Sequence, residues 1–76
     1  MTLHLGGHLN WYDKERRAWF QVALTEPTPL VEILRALELP VGEVALCAVN
    51  GTLIELEQAM ISDQDRVELF PPIGGG

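Results

Sequence analysis

The chain has 76 residues, of which 47% are hydrophobic, with a formal net charge of −6 and a single cysteine. This length predicts one domain, and no apolar run approaches the ~20 residues of a membrane span or forms a secretory leader at the start. The acidic excess disfavours nucleic-acid binding because it repels phosphates. A lone cysteine excludes an internal disulfide and suits a reducing cytoplasm, where we expect the protein to work.

The charge is unevenly distributed along the chain. From Glu26 onward, nine acidic side chains face two arginines, whereas residues 14–17 carry a basic trio interrupted by Glu15. An interrupted basic run of this kind indicates a solvated turn rather than a nucleic-acid patch.

The first quarter of the chain predicts an antiparallel hairpin. Residues 2–9 begin with alternating apolar and polar positions, and Gly6-Gly7 marks a bulge or the end of the strand. Residues 10–17 are polar and predict a loop. Residues 18–24 alternate again and predict a second strand.

A helix follows. Thr28 suits the N-cap position, and Pro29 suits the first helical position, where its missing N–H costs nothing. The apolar residues then recur at i, i+3, i+4 and i+7, which predicts one buried stripe; they are Leu30, Ile33, Leu34 and Leu37. Pro40 and Gly42 prevent the helix from continuing.

The second half of the chain contains three further predicted strands. Residues 43–49 form an apolar run typical of a central strand buried on both faces. Asn50-Gly51 predicts a tight turn into a brief strand at residues 52–54. A polar crossing segment, residues 55–65, is expected to be anchored by Met60 and Ile61.

The last strand comprises residues 66–70, with Val67 and Leu69 facing inward and Phe70 outward by parity. The predicted element order is therefore β-β-α-β-β-β. One helix must bury its stripe on one face of the sheet. We therefore predict an α+β class, β-grasp (ubiquitin-like) fold with a mixed sheet of four to five strands, spanning residues 1–70.

Residues 71–76 are predicted to form a flexible C-terminal tail. Pro71 and Pro72 stop the strand and stiffen its exit, and three glycines end the chain. Extended at about 3.3 Å per residue, residues 73–76 would reach roughly 13 Å, far enough to place the Gly76 carboxylate in another protein's active site. A frayed, functionless end or a residual linker is the simpler alternative.

Three segments resemble the ubiquitin-like sulfur carriers, a family that includes the small subunit of molybdopterin synthase and the sulfur carrier of thiamine thiazole synthesis. They are residues 48–54 (AVNGTLI), residues 63–68 (DQDRVE) and the ending FPPIGGG. The Pro71-Pro72 pair is more similar to the molybdopterin synthase subunit. Gly74 is an additional glycine, and residues 8–19 match no family pattern.

The resemblance implies that Gly76 is adenylated and then converted to a thiocarboxylate. It implies a ubiquitin-activating-like adenylyltransferase, which uses ATP, and a sulfur acceptor such as the large subunit of molybdopterin synthase. The carrier would bind no cofactor or metal and would not be catalytic alone, acting as the sulfur-donating small subunit of a synthase. The expected partner-binding residues are Phe70, Pro71, Pro72, Ile73, Gly74 and Gly75.

Apolar surface around the tail is expected to mediate this recognition, because Phe70 to Ile73 have little of their own domain to pack on. Trp11 and Trp19 either extend that surface or stabilise the first hairpin.

Three other functions remain open. They are a thiamine sulfur carrier, a protein modifier conjugated through Gly76, and an interaction module with an incidental tail. The single Lys14 disfavours chains built on the protein itself.

No other residue pattern predicts a catalytic or metal site. Cys47 lies in an apolar run and is interpreted as a packed residue. His4 and His8 would stand roughly 13 Å apart on a strand, too far to share a metal. Asp63 and Asp65 are interpreted as turn formers rather than acid–base catalysts.

Overall fold

The computed structural model describes residues 1–72. Its elements are β1 (Thr2–Leu5), β2 (Trp19–Gln21), β3 (Thr28–Pro29), α1 (Leu30–Ala36), β4 (Leu46–Val49), β5 (Thr52–Leu53), β6 (Met60–Ile61) and β7 (Arg66–Phe70). Single 3₁₀ turns occur at Leu9–Tyr12, Val41–Glu43 and Leu56–Gln58. Within this described part, no helix is long and apolar enough to cross a membrane.

Five strands form one mixed sheet in the order β2-β1-β7-β4-β5. The central pair, β1 and β7, is parallel, and the other neighbours are antiparallel. β3 and β6 pair separately as a two-residue ladder. A mixed sheet with one helix confirms the predicted α+β, β-grasp fold.

The core lies between α1 and one face of the sheet, here called the inner face. Register pairs Leu3 with Val67 and Leu5 with Leu69, so the alternating residues of β1 and β7 meet on that face. All four are essentially inaccessible to solvent, as are Leu30 and Leu34 of α1. Each such side chain contributes roughly 1.5–3 kcal/mol when removed from water.

The helix begins one residue later than predicted. Pro29, not Thr28, occupies the cap position, and no side chain caps the helix. Thr28 instead pairs with Ile61 in the β3–β6 ladder, and its hydroxyl donates to the Glu26 carbonyl. Pairing holds Thr28 extended, so tertiary structure overrides its capping preference.

The helix ends before the predicted stop residues. Glu38 has φ +60°, and the Leu39 N–H donates to the Leu34 carbonyl at 2.9 Å. A left-handed residue followed by this backward bond is the Schellman arrangement. It turns Leu39 into the core, and Leu37 packs half-buried at the edge of the predicted stripe.

The predicted central strand is wrong in two respects. β7, not β4, lies at the centre, and β4 covers only Leu46–Val49. Its inner face is buried, whereas on the opposite face Ala48 is buried and Leu46 is half exposed. The uniformly apolar run therefore predicted full burial on both faces, whereas the opposite face of β4 is buried only in part.

The crossing segment is anchored differently from the prediction. Met60 is exposed, whereas Ile61 is fully buried together with Leu56 and Ala59. The predicted second strand also ends early, at Gln21. Beyond it, the Leu24 N–H donates to the Asp63 carboxylate instead of to a strand.

The Asn50-Gly51 turn is confirmed. Both residues have positive φ, +51° and +85°, as a type I′ hairpin turn requires. The Asn50 side chain also donates to Asp65 at 2.9 Å and accepts from the Arg66 N–H at 2.9 Å. These bonds tie the turn to the start of β7.

The loop between β1 and β2 is organised around a buried carboxylate. Asp13 accepts hydrogen bonds from the Glu15 and Arg17 N–H groups and a bidentate pair from the Arg17 guanidinium at 2.9 and 3.0 Å. The Arg17 guanidinium, with these backbone donors, lowers the pKa of Asp13 to about 2 although burial opposes the shift. The predicted solvated turn therefore contains a fixed ion pair, whose guanidinium also lies 4.1 Å above the Phe20 ring.

Candidate functional site: the end of β7 and the outer face

β7 is held on both sides up to its last residue. The Leu69 carbonyl accepts from the Gly6 N–H at 2.7 Å, and the Phe70 carbonyl accepts from the Ala45 N–H at 2.8 Å. The donors are the residue after β1 and the residue before β4, the two strands that flank β7. The point where the C-terminal segment leaves the sheet is therefore fixed.

Two glycines make room for this exit. A Cβ atom at Gly6 would lie 2.6 Å from Cδ1 of Phe70 and 2.9 Å from the Leu69 carbonyl oxygen. A Cβ atom at Gly7 would lie 2.7 Å from Cγ of Pro71. We call these four residues, Gly6, Gly7, Phe70 and Pro71, the tail root.

The tail root corrects one expectation. Phe70 and Pro71 were predicted to have little to pack on, but both are half-buried. Pro72 is exposed. The remaining predicted site residues, Ile73, Gly74, Gly75 and Gly76, lie outside the described residues.

The face of the sheet away from α1, here called the outer face, carries exposed apolar side chains beside the tail root. Register places Trp19 opposite His4, and Leu46 opposite Phe70. Trp19 is 53% exposed, Leu46 49% and Leu53 66%. No element of the described chain covers them.

The outer face has one charged pair near its middle. Glu68 lies in register between His4 and Ala48, and its carboxylate forms a salt bridge with Nε of Arg66 at 3.4 Å along the same strand. Glu68 itself is only partly exposed. The apolar side chains thus surround a carboxylate that already has an intramolecular partner.

An aromatic stack connects the outer face to the tail root. The His4 ring lies 4.1 Å from the Trp19 ring at 23°, and it meets the Phe70 ring edge-on at 5.9 Å. Nδ1 of His4 is 3.0 Å from the Ala18 carbonyl oxygen. Trp19 therefore extends the apolar surface of the tail root, one of the two roles expected for it.

The second histidine–tryptophan pair is separate. His8 and Trp11 are adjacent in the loop with ring centroids 6.1 Å apart, and Trp11 is exposed. Among residues 1–72, no three His, Cys, Asp or Glu side chains are grouped to hold a metal.

Cys47 is packed, as predicted. Its side chain lies on the inner face opposite Leu69, and burial raises the pKa of the thiol. A buried protonated thiol is a poor nucleophile. The cysteine therefore belongs to the core and not to the site.

Asp65 forms the turn before β7, as predicted, whereas the side chain of Asp63 bonds to a segment distant in sequence. Asp65 accepts from the Ser62 N–H at 2.8 Å, and Asp63 accepts from the Leu24 N–H at 2.8 Å. These backbone donors are the main reason that the pKa of each carboxyl is lowered. Carboxylates held ionised in this way are poorly suited to donate a proton.

The sequence predictions missed Leu46, Leu53 and the two glycines. Parity from the Asn50-Gly51 turn could have placed Leu53 and Ala48 on one face, because residues paired across a hairpin share a face. The contact between Gly6 and Phe70 joins residues far apart in sequence, and the chain carries no local signal for it.

A comparison with family models matches residues 12–76 to the ThiS family, which is most of the chain. The chain belongs to the ThiS family. ThiS-family proteins are ubiquitin-like sulfur carriers that work with an activating enzyme and a sulfur acceptor. No curated protein matches the sequence significantly. In this ThiS-family chain, β1 and both glycines of the tail root precede the matched segment.

Proposed function

We propose that this sulfur carrier delivers sulfur as a thiocarboxylate on Gly76, and that its acceptor lies in molybdopterin (molybdenum or tungsten cofactor) synthesis. The observation that carries the proposal is the position of the exit: the chain leaves the centre of the sheet beside an exposed apolar face. A partner bound to that face would have the terminal segment at its surface. Cytoplasmic location is part of the same proposal.

The chemistry needs an activated terminus. A C-terminal carboxylate is ionised at neutral pH, with a pKa near 3.5, and is a poor acyl electrophile. Attack of that carboxylate on the α-phosphate of ATP would form an acyl adenylate and release pyrophosphate. Sulfide would then add to the carbonyl carbon, and AMP would leave with the electron pair of the broken C–O bond.

The proposal gives no step of this reaction to Cys47 or to the three hydrogen-bonded aspartates. Cys47 is buried, and the carboxylates of Asp13, Asp63 and Asp65 are occupied by donors within residues 1–72. The proposal therefore assigns ATP to the activating partner. The carrier contributes the acyl group and the surface that docks it.

The outer face is the proposed docking surface for the activating enzyme. Its exposed members, Trp19, Leu46 and Leu53, are continuous with Phe70 through register neighbours on adjacent strands. An exposed apolar patch on a small protein marks a binding site. The matching surface on the partner would be apolar, with a basic rim facing the acidic second half of this chain.

Intact mass spectrometry tests the carrier role. The chain would be incubated with a purified ubiquitin-activating-like adenylyltransferase of a sulfur-carrier pathway, ATP and sulfide. We expect a mass gain equal to exchange of one oxygen for sulfur, and no gain in a chain lacking Gly74, Gly75 and Gly76. An unchanged mass with every such enzyme would reject the proposal, and a lysine-linked adduct on other proteins would indicate a modifier.

The acceptor requires a separate experiment, because family membership does not select the pathway. The Phe70-Pro71-Pro72 sequence supports the molybdopterin acceptor, with the thiazole synthase of thiamine formation as the alternative. Thiocarboxylated protein would be mixed with each acceptor and its substrate. We expect the thiocarboxylate mass to revert only with the large subunit of molybdopterin synthase and its pterin precursor.

A further inference from the structure

We propose that Gly6 and Gly7 are positioning residues that set the direction in which the terminal segment leaves the domain, and thereby the alignment of Gly76 in the activating enzyme. This inference rests on the proposed function of Gly76. Both glycines directly follow β1 and precede the segment matched to the family.

The first argument is the contact at Gly6. Its N–H holds the Leu69 carbonyl at 2.7 Å, and the space where a side chain would start is filled by the Phe70 ring. Real Cβ atoms do not approach other heavy atoms to 2.6 Å, so any larger residue must displace the ring or the Leu69 carbonyl. The ring in turn contacts the edge of His4, which limits where it can move.

The second argument is the contact at Gly7. Pro71 packs directly on this glycine, with Cγ and Cδ 2.7 and 3.0 Å from the position of a Cβ atom. Gly7 also has φ +55°, which places its backbone in the left-handed region. Because the ring of Pro71 fixes its own φ, the packing of that ring on Gly7 fixes where the chain leaves the sheet.

The third argument is that a small displacement of the tail root changes the position from which the terminal segment starts. Displacing Phe70 or Pro71 by about one ångström moves the point at which the chain leaves the domain, relative to the outer face that is proposed to dock the partner. Misplacement of a reacting group by about 1 Å can cost 10²-fold in rate. The two glycines therefore affect the reaction from a distance, without contacting ATP or the acyl carbon.

The test compares four glycine variants. Gly6→Ala adds a Cβ atom under Phe70 without a positive-φ penalty, and Gly42→Ala is its control because a Cβ atom there meets nothing within 4 Å among residues 1–72. Gly7→Ala adds a Cβ atom under Pro71 at positive φ. Gly51→Ala is its control, since φ there is +85° and the nearest atom in the described chain is the Arg66 Nη2 at 3.8 Å.

The readout is steady-state adenylation of Gly76 by the activating enzyme, with thermal unfolding measured in parallel. We expect Gly6→Ala and Gly7→Ala to lower kcat about 10- to 100-fold with KM within about threefold, because docking on the outer face persists while alignment is lost. The two controls keep the wild-type kcat. A purely structural role would lower thermal stability and leave the kcat of the folded fraction unchanged.

Equal kcat values for Gly6→Ala and Gly42→Ala, with active wild-type protein, would overturn the inference and leave the carrier role intact. Inactive wild-type protein would instead reject the proposed function and this inference with it. If the glycine variants fail to fold, Pro71→Ala decides, because it removes the ring without adding an atom. Unchanged kcat in Pro71→Ala would also overturn the inference.

Discussion

The two faces of the sheet are both rich in apolar side chains, but only one is covered. On the inner face, Leu3, Val67 and Leu69 are fully buried under the helix. On the outer face, Trp19 and Leu53 are more than half exposed. Exposed apolar residues contribute little to folding stability, and their clustering beside the end of β7 is the observation that supports the proposed docking surface.

The largest expected effect on stability comes from truncating a buried side chain of the inner face. Leu3→Ala should destabilise the domain by about 2–5 kcal/mol, because it removes buried methyl groups and leaves a cavity. Leu53→Ala removes the same atoms from the outer face and should cost less than about 0.5 kcal/mol. Urea unfolding of both variants measures the two losses of unfolding free energy, and equal losses would contradict the assignment of the two faces.

The next effect concerns the loop that leads from β1 to β2. Asp13→Asn should cost about 2 kcal/mol, because it replaces a buried charge-assisted bidentate pair. Glu15→Gln is the control, since Glu15 reaches the same Arg17 at 3.6 Å but is exposed. An exposed pair of this kind is worth roughly 0–1 kcal/mol. Thermal unfolding at neutral pH compares the two, and a similar loss in both would show that burial of Asp13 is unimportant.

The Asp13 carboxylate also predicts how the free energy of unfolding falls at acid pH. Because Arg17 holds the folded pKa of Asp13 at about 2, below its ordinary value of 3.8, the stabilisation is complete above about pH 4. It is lost as the pH falls from there through about 2. Unfolding free energies measured between pH 5 and pH 2 should therefore decline more steeply for wild type than for Asp13→Asn. Parallel profiles would contradict this assignment.

Truncating exposed side chains of the outer face should have the smallest effect on stability and a large effect on binding. Trp19→Ala and Leu46→Ala should change unfolding free energy by less than about 1 kcal/mol. Each should raise the KM for activation about tenfold, as expected for loss of roughly 1.4 kcal/mol of docking energy. Met60→Ala is the matched control, because Met60 is equally exposed but lies on β6 in the separate ladder. A comparable rise in KM for Met60→Ala would count against a specific surface.

The parts of the fold that follow from local pattern could be predicted from the sequence. The bounds of β7, the inward side chains Val67 and Leu69, and the Asn50-Gly51 turn agree with the structure. Each depends on alternation or on backbone angles that neighbouring residues determine. The helix stripe was predictable for the same reason, because its spacing is a property of the helix itself.

The parts that depend on tertiary contacts could not be predicted. Whether Leu46 or Met60 is buried depends on which face α1 covers, and both were taken as core. Thr28 was predicted to be a cap and is instead paired with Ile61 across 33 residues of sequence. Burial of Asp13 is similarly invisible in a polar segment, because it requires the fold to supply the enclosing surface.

The residues of the candidate site also fall into those that the sequence predicts and those that depend on tertiary contacts. The sequence identified the Phe70-Pro71-Pro72 exit, and the family match covers it. It did not identify Gly6 and Gly7, because their packing partners lie more than sixty residues away. The outer face was only partly anticipated, through Trp19.

The most direct test of the two-face account is a ¹⁵N NMR titration of the protein with the activating enzyme. We predict that the Trp19 indole and the amides of Leu46, Leu53 and Glu68 shift or broaden, while those of Met60 and Glu32 do not. Perturbation confined to α1 or β6, with the outer face unaffected, would contradict the claim that one face stabilises the carrier and the other docks it.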